Sequence, residues 1–302
     1  MSYSQAGTNT VRKVVEMKKV HAILVVSIFL GMIPTASGQT LPEPASVIPL
    51  YEGVAPGSES WDWEEKHIES AAGLPIVQNV VKPVLMYYPP DPGTDVETAM
   101  VIAPGGGFRN LMMSYEGVDI ARYLNKLGVH AYVLKYRLIH HGDRSQQNGQ
   151  DVRKLAAADG QQAVRLLRKG AKGLGIEPDR IGMIGFSAGG FVTVASVMGP
   201  EDGRPDFAVP VYAAAGSKWG LPVTVPENAP PLCIFTAAND QVIPWERSMD
   251  MFVAWKKAGY LAEIHIFQTG RHGFVEKGGG ADHYLERLQE WMKVNGWLNK
   301  AQ

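Results

Sequence analysis

Residues 180–198 leave this chain little freedom. Arg180-Ile181-Gly182-Met183-Ile184 is an apolar run, Gly185-Phe186-Ser187-Ala188-Gly189 follows with Gly190 behind it, and Phe191 to Met198 reads as a helix. A G-x-S-x-G pentapeptide set between strand and helix is a turn so tight that its serine takes a strained backbone conformation. Only small residues fit two positions to either side, which explains Gly185 and Gly189. The hydroxyl is lifted above the sheet at a helix N-terminus, where peptide dipoles favour developing negative charge. The pentapeptide alone is a weak signal. After a strand, and with partners in the right order downstream, it is a strong one.

The rest of the chain alternates strand and helix signals around this unit. Val80 to Tyr88, Ala99 to Ala103, Val129 to Tyr136, Arg180 to Gly185, Phe207 to Ala213, Leu232 to Ala237 and Ala262 to Phe267 read as strands. Glu116 to Leu127, Asp151 to Lys169, Trp245 to Lys257 and His283 to Val294 read as helices. Such alternation predicts an α/β fold with a mostly parallel central sheet and helices on both faces. No internal repeat or low-complexity tract interrupts it.

The amino-terminal part is of another kind. Lys18-Lys19 precede an apolar run from Val20 to Ile33, then Pro34 and Ala36-Ser37-Gly38-Gln39. This is the charge, apolar run and small-residue site of a secretory signal peptide, with cleavage before Gln39. Met17 is the expected natural start, with residues 1–16 upstream of it. The apolar run is short for a membrane span, so no stable span is expected after cleavage, and no cysteine follows to carry a lipid. Residues 39–75, rich in Pro, Gly and acidic side chains, read as an extended arm pinned by Trp61 and Trp63. Residues 76–302 form the expected catalytic domain. The location implied is secreted or periplasmic.

Of the 302 residues, 45% are hydrophobic and 20% charged, and the net charge is −1. That is ordinary globular composition, and it lacks the basic footprint of a nucleic-acid-binding protein. The single cysteine, Cys233, cannot form an internal disulfide and reads as a packed strand residue. No metal is expected. His140-His141-Gly142-Asp143 holds ligand-type side chains, but neighbours in sequence rarely converge on one ion. Nor does a Lys-Ser/Thr follow the Gly105-Gly106-Gly107 run to make it a phosphate loop.

A serine hydroxyl becomes a nucleophile when a base takes its proton and a third group fixes the base. In chains with this elbow the order is Ser, then Asp or Glu, then His. Asp240 lies just past one apolar strand and His272, between Arg271 and Gly273, just past the next. Ligand sites in open α/β sheets gather at the carboxyl ends of strands, so both are placed to meet Ser187. His67, His130, His140, His141, His265 and His283 fall on strands, helix faces or polar loops. Among the acids, Asp206 precedes a strand, Asp202 reads as a turn residue and Glu246 lies on a helix. An oxyanion needs backbone N–H donors. Ala188 supplies one, and the Gly105-Gly106-Gly107-Phe108 loop supplies the rest. Phe108, Tyr115, Trp219, Trp245 and Phe274 lie near these loops and are candidates to line a pocket.

Taken together, Pro104-Gly105-Gly106-Gly107-Phe108, Glu116-Gly117, Val133-Leu134-Lys135-Tyr136-Arg137, the elbow, Asn239-Asp240-Gln241-Val242-Ile243-Pro244 and Gly270-Arg271-His272-Gly273-Phe274 resemble the α/β-hydrolase superfamily. Within it they resemble the secreted acetyl-xylan-esterase-like and feruloyl-esterase-like branch related to the hormone-sensitive lipases. The resemblance covers about residues 45 to 298. It implies Ser187 as nucleophile, Asp240 as acid, His272 as base, and Gly106, Gly107 and Ala188 as oxyanion donors. Pro104 stands where lipase-type relatives carry His, which suits the sugar-esterase-like branch. The Ala214 to Pro231 segment is shorter than in many relatives, which implies a minimal cap and an open cleft.

The activity implied is a cofactor-free serine carboxylesterase acting on acylated polysaccharide, with acetyl ahead of feruloyl. Other acyl substrates, short-chain lipids or synthetic polyesters, are the same-fold alternative. A non-catalytic binding protein of this fold is the alternative from another class, against which a complete set of Ser, His and Asp argues. Peptidase relatives usually carry a propeller domain, for which this chain has no segment.

Overall fold

The structure is a computed structural model that describes residues 41–71, 73–141, 152–274, 281 and 283–300. The signal segment and Gly142-Asp143 lie outside those residues. In chain order the elements are β1 (Ser46–Pro49), β2 (Lys66–Glu69), β3 (Pro75–Gln78), β4 (Val84–Tyr88), β5 (Ala99–Ala103), β6 (Asn110–Met112), α1 (Asp119–Lys126), β7 (His130–Lys135), α2 (Val152–Leu174), β8 (Ile181–Phe186), α3 (Ala188–Val197), β9 (Phe207–Val211), β10 (Leu232–Ala237), α4 (Glu246–Lys257), β11 (Ala262–Phe267) and α5 (Tyr284–Val294).

The main sheet has eight strands in the order β1-β4-β7-β5-β8-β9-β10-β11. β1 and β4 run antiparallel to their neighbours, and from β7 onward the pairs are parallel. The central strands β5, β8, β9 and β10 are buried at every residue, as an apolar run covered on both faces requires. Successive side chains of β10 go to opposite sides. Leu232 and Ile234 join Trp255 and Met251 of α4 with Val194 and Val197 of α3, while Phe235 meets Tyr284 of α5 edge-on at 5.8 Å. Each large side chain so buried contributes roughly 1.5–3 kcal/mol. The architecture is the expected mostly parallel α/β sheet with helices on both faces.

Three departures have local causes. The strand expected from Val80 starts at Val84, because Pro83 cannot donate into the ladder. α2 runs on to Leu174 through Gly170 and Gly173, propensity losses offset by its buried face. The stretch read as an extended arm holds two short strands. β1 hydrogen-bonds to β4 at the edge of the main sheet, and β2 joins β3 and β6 in a small second sheet. Trp61 stacks on Trp63 at 4.6 Å and Trp63 on His140 at 4.9 Å, which ties this stretch to the segment after β7.

Register places the working end. Ala103 pairs with Gly185 and Phe186 with Val211, and Ala237 pairs with Phe267. The carboxyl ends of β5, β8, β9, β10 and β11 therefore open on one rim. Between β9 and β10 the chain makes one 3-10 turn, Ser217–Trp219, and an isolated bridge from Gly216 to Leu221.

Candidate active site

Five loops leave that rim, and each contributes to one cluster. After β8 the chain turns within one residue into α3, and Ser187 at the turn has φ 51° and ψ −110°. A non-glycine residue held there is strained, and the surroundings impose it. A Cβ at Gly189 would stand 1.9 Å from the Ala103 carbonyl oxygen, and one at Gly185 2.2 Å from that of Gly189. Both glycines are thus required by close backbone approach. Ser187 is held from below, its N–H donating to Val211 O at 3.1 Å and its carbonyl accepting from Ala214 N at 3.0 Å.

Ser187 Oγ lies 2.9 Å from Nε2 of His272, and Nδ1 of His272 lies 2.8 Å from Oδ2 of Asp240. The Asp240 side chain is fully buried. Its Oδ1 accepts the amides of Val242 and Ile243 at 2.8 and 2.9 Å. An ionised carboxylate only accepts, so Nδ1 carries the proton and Nε2 presents its lone pair to the serine hydroxyl. The two loops are tied together, since Arg271 N donates to Asn239 Oδ1 at 2.8 Å. This arrangement can move a proton from Oγ to Nε2 while the carboxylate holds the ring.

Ala188 opens α3, so its N–H is among those a helix leaves without an internal partner. Across from it lies the glycine loop after β5. Gly106 has φ +130° and Gly107 φ +64°, a backbone path that L side chains rarely take. Gly106 accepts the amides of Arg109 and Asn110. The loop is held at its base by the Tyr136 hydroxyl, which donates to Pro104 O at 2.6 Å.

Two further residues belong to this cluster, to which the sequence alone assigns no role in the site. Glu116 sits in a π-helical turn, Ser114–Val118, ahead of α1 and is 4% exposed. Its Oε2 accepts the Gly105 amide at 2.8 Å and its Oε1 the Tyr212 hydroxyl at 2.6 Å. Tyr212, just past β9, has φ 34°, and its ring lies 4.9 Å from that of His272. Burial, then the charge of Glu116, pushes the Tyr212 phenol well above its ordinary value, so it stays protonated and donates. The Glu116-Gly117 pair is legible in the sequence, but its partner lies 96 residues away.

The pocket candidates divide. Tyr115, Trp219 and Trp245 are half-buried, as pocket walls would be. Phe108 is buried edge-on against Phe191. Phe274 is 1% exposed among Tyr212, Phe267 and Tyr284, on the core side of His272. Of the other acids, Asp206 pairs with Arg168 at 2.7 Å at the amino end of β9, Asp202 pairs with Arg165, and Glu246 is exposed at the start of α4.

Cys233, Glu263 and His265 bring metal-ligand-type atoms within 4.8 Å of one another on β10 and β11. Burial pushes the Cys233 thiol well up, and His265 Nε2 is already bonded to Glu263 at 2.7 Å. A cleft of about 810 Å³, lined by Arg168, Asp179, Arg204, Asp206 and Trp297, opens at the amino ends of the strands. It is on the opposite rim from Ser187.

Residues 134–302 match the sequence profile of the Dienelactone hydrolase family. The chain is 31% identical to an acetylxylan esterase of Xylanibacter ruminicola over 229 residues, 65% of this chain and 45% of that protein. It therefore spans less than half the length of that curated relative. Among solved structures, an acetyl ester-xyloside bifunctional hydrolase from Caldicellulosiruptor lactoaceticus superposes with a TM-score of 0.62 at 24% identity, covering 86% of this chain and 99% of that one. A propionate-bound esterase from Thermogutta terrifontis gives 0.63 at 23%, covering 81% and 98%. The finer relation to hormone-sensitive lipases is not carried by these matches. Among the described residues no helix is long and apolar enough to cross a membrane.

Proposed function

We propose, since this chain belongs to the dienelactone hydrolase family, that it is a serine carboxylesterase that removes acetyl groups from plant polysaccharide such as xylan. The observation that carries the reading is the unbroken relay from Ser187 Oγ through His272 to Asp240, at 2.9 and 2.8 Å, with the serine held in its strained turn.

The steps follow from the roles. Ser187 Oγ attacks the ester carbonyl carbon, and its proton passes to His272 Nε2. Asp240 stabilises the imidazolium and fixes its orientation. The N–H groups of Ala188, Gly106 and Gly107 receive the oxyanion. Collapse of the tetrahedral species breaks the bond to the alcohol oxygen, which takes the proton from Nε2. Water then gives its proton to Nε2 and attacks the acyl-enzyme, and carboxylic acid and free serine result. Every group used is a side chain or a backbone amide, so the reading needs no cofactor.

Acetylated polysaccharide as substrate is supported by the acetylxylan esterase relative, and a short connection between β9 and β10, with one 3-10 turn and no helix longer than that, is consistent with it. Export from the cytoplasm belongs to the same reading and rests on residues 17–39. N-terminal sequencing of the exported protein should give Gln39 first.

Initial rates on p-nitrophenyl acetate and acetate release from acetylated xylan test the activity. Ser187→Ala should lower kcat by about 10⁴-fold or more, with the melting temperature within a few degrees of wild type. A variant that kept a tenth of the rate would remove Ser187 from the mechanism. Methyl ferulate hydrolysed faster than acetyl esters would overturn the acetyl preference.

A further inference from the structure

Glu116 touches both halves of the cluster. On one side its Oε2 accepts the amide of Gly105, at the start of the loop that carries Gly106 and Gly107. On the other its Oε1 accepts the hydroxyl of Tyr212, whose ring packs against His272 at 4.9 Å with a 59° tilt. The contact with Gly105 is close: a Cβ there would come within 2.7 Å of Oε2 and 2.8 Å of the Phe186 carbonyl oxygen. Glycine thus lets the loop lie directly on the carboxylate. Gly105 O in turn accepts Met112 N at 3.1 Å, so this residue is fixed at both ends of its peptide.

Tyr212 is as firmly set. Its φ is 34°, its amide donates to Phe235 O at 2.7 Å, and its ring is closed in by Phe274 at 4.9 Å and Phe186 at 6.1 Å. Only its hydroxyl direction remains to be fixed, and Glu116 fixes it. A buried carboxylate is costly to desolvate, so one kept beneath a reaction site needs a use. Here the two oxygens bind the two elements whose mutual placement sets the distance between the oxyanion donors and the base.

We propose that Glu116 is a positioning residue for acyl transfer: through Gly105 it sets the oxyanion loop, and through Tyr212 it sets the His272 ring. The inference rests on the serine-esterase reading above. Neither oxygen needs to meet substrate. Removing the carboxylate should leave ground-state binding almost untouched and weaken contacts made only in the transition state, which lowers kcat and spares KM. A displacement of about 1 Å at such contacts costs about 10²-fold in rate.

The variants are Glu116→Ala, Glu116→Gln and Tyr212→Phe, assayed on p-nitrophenyl acetate beside wild type and a Ser187→Ala blank. Folding is followed by circular dichroism and thermal melting, and rates are taken per intact site by titration with a fluorophosphonate. In Glu116→Gln, Oε1 can still accept the Gly105 amide, and Nε2 can donate to a Tyr212 hydroxyl that rotates to accept. We expect Glu116→Ala to lose about 10²-fold in kcat with KM within about threefold. Glu116→Gln should recover to within about tenfold of wild type, and Tyr212→Phe should lose about three- to tenfold, in each case far above the blank. Should Glu116→Ala not fold, Glu116→Gln and Tyr212→Phe carry the test, and wild-type kcat in both would overturn the proposal. So would Glu116→Ala within about threefold of wild-type kcat, or a Glu116→Gln no better than Glu116→Ala. Wild type no faster than the blank would instead refute the esterase reading itself.

Discussion

Arg137 and Asp159 meet beneath the residues that follow β1, while Ser187, His272 and Asp240 meet at the carboxyl rim of the sheet, and the two polar networks are wired in opposite ways. Around Asp159 each charge is closed off. Arg137 Nη2 and Nε reach its carboxylate at 2.8 to 3.1 Å. The Arg137 amide adds 3.0 Å and the Tyr51 hydroxyl 3.0 Å. Nη1 binds Pro56 O, and the guanidinium lies 5.6 Å from the Tyr51 ring centre. Burial raises the Asp159 carboxyl and the guanidinium opposes it. Both side chains are 1% exposed or less. At the rim, His272 keeps 21% exposure and Ser187 sits strained at the mouth of a helix. A closed network stores stability and does nothing further, whereas a reacting one must keep a hydroxyl and several amides free for substrate.

The largest expected effect comes from making the rim network satisfied but wrong. Asp240→Asn keeps size and shape. Its carboxamide oxygen will face the two amides of Val242 and Ile243, which can only donate. Its NH2 then faces His272 Nδ1, which must give up its proton and accept. Nε2 becomes the donor and can no longer take the proton of Ser187. We expect kcat on p-nitrophenyl acetate to fall about 10⁴-fold with little change in the urea midpoint. A fall under tenfold would mean that Asp240 does not set the tautomer.

Breaking the closed network should do the reverse. Arg137→Met leaves Asp159 buried without its cation, at a cost of about 3–5 kcal/mol in urea unfolding. The kcat per folded molecule should stay within about threefold, because among the described residues the Arg137 side chain hydrogen-bonds to Asp159, Pro56, Ser58 and Leu155 and not to Ser187, His272 or Asp240. Arg137→Met combined with Asp159→Leu removes both charges and should be more stable than Arg137→Met alone. If the double variant is the less stable, the pair contributes more than it costs to desolvate.

The two regions also differ in how far the sequence discloses them. Ser187, Asp240 and His272 each stand just past an apolar strand with glycine, asparagine or proline beside them, and a parallel sheet brings strand ends together whatever the details of packing. Glu116 and Tyr212 carry no such mark. Tyr212 reads as one more apolar residue of its strand, and only the fold brings it to a carboxylate 96 positions earlier. Arg137 follows β7 and Asp159 lies on α2, and their partnership depends on the pitch of that helix. β1 and β2 are four residues each and mostly exposed, without the alternation that would announce them. What is local in origin is legible, and what depends on two elements crossing is not.

The smallest expected effect measures how complete the closure around Asp159 is. Tyr51→Phe deletes one of the donors to Asp159 and leaves the ring under the guanidinium in place. Burial, then the charge of Asp159, pushes the Tyr51 phenol well up, so it is a neutral donor throughout the physiological range. A hydrogen bond to a charged acceptor contributes about 1.5–3 kcal/mol. Because Asp159 keeps Arg137 and its amide, the lower end applies, and the urea midpoint should fall while kcat does not move. In the Arg137→Met background the same hydroxyl is one of the few donors left to Asp159, and Tyr51→Phe should then cost more than in wild type. A double-mutant cycle reads that difference directly. Equal costs in both backgrounds would show that Tyr51 and Arg137 act on Asp159 independently, and that the network beneath the amino-terminal strands is a set of separate contacts.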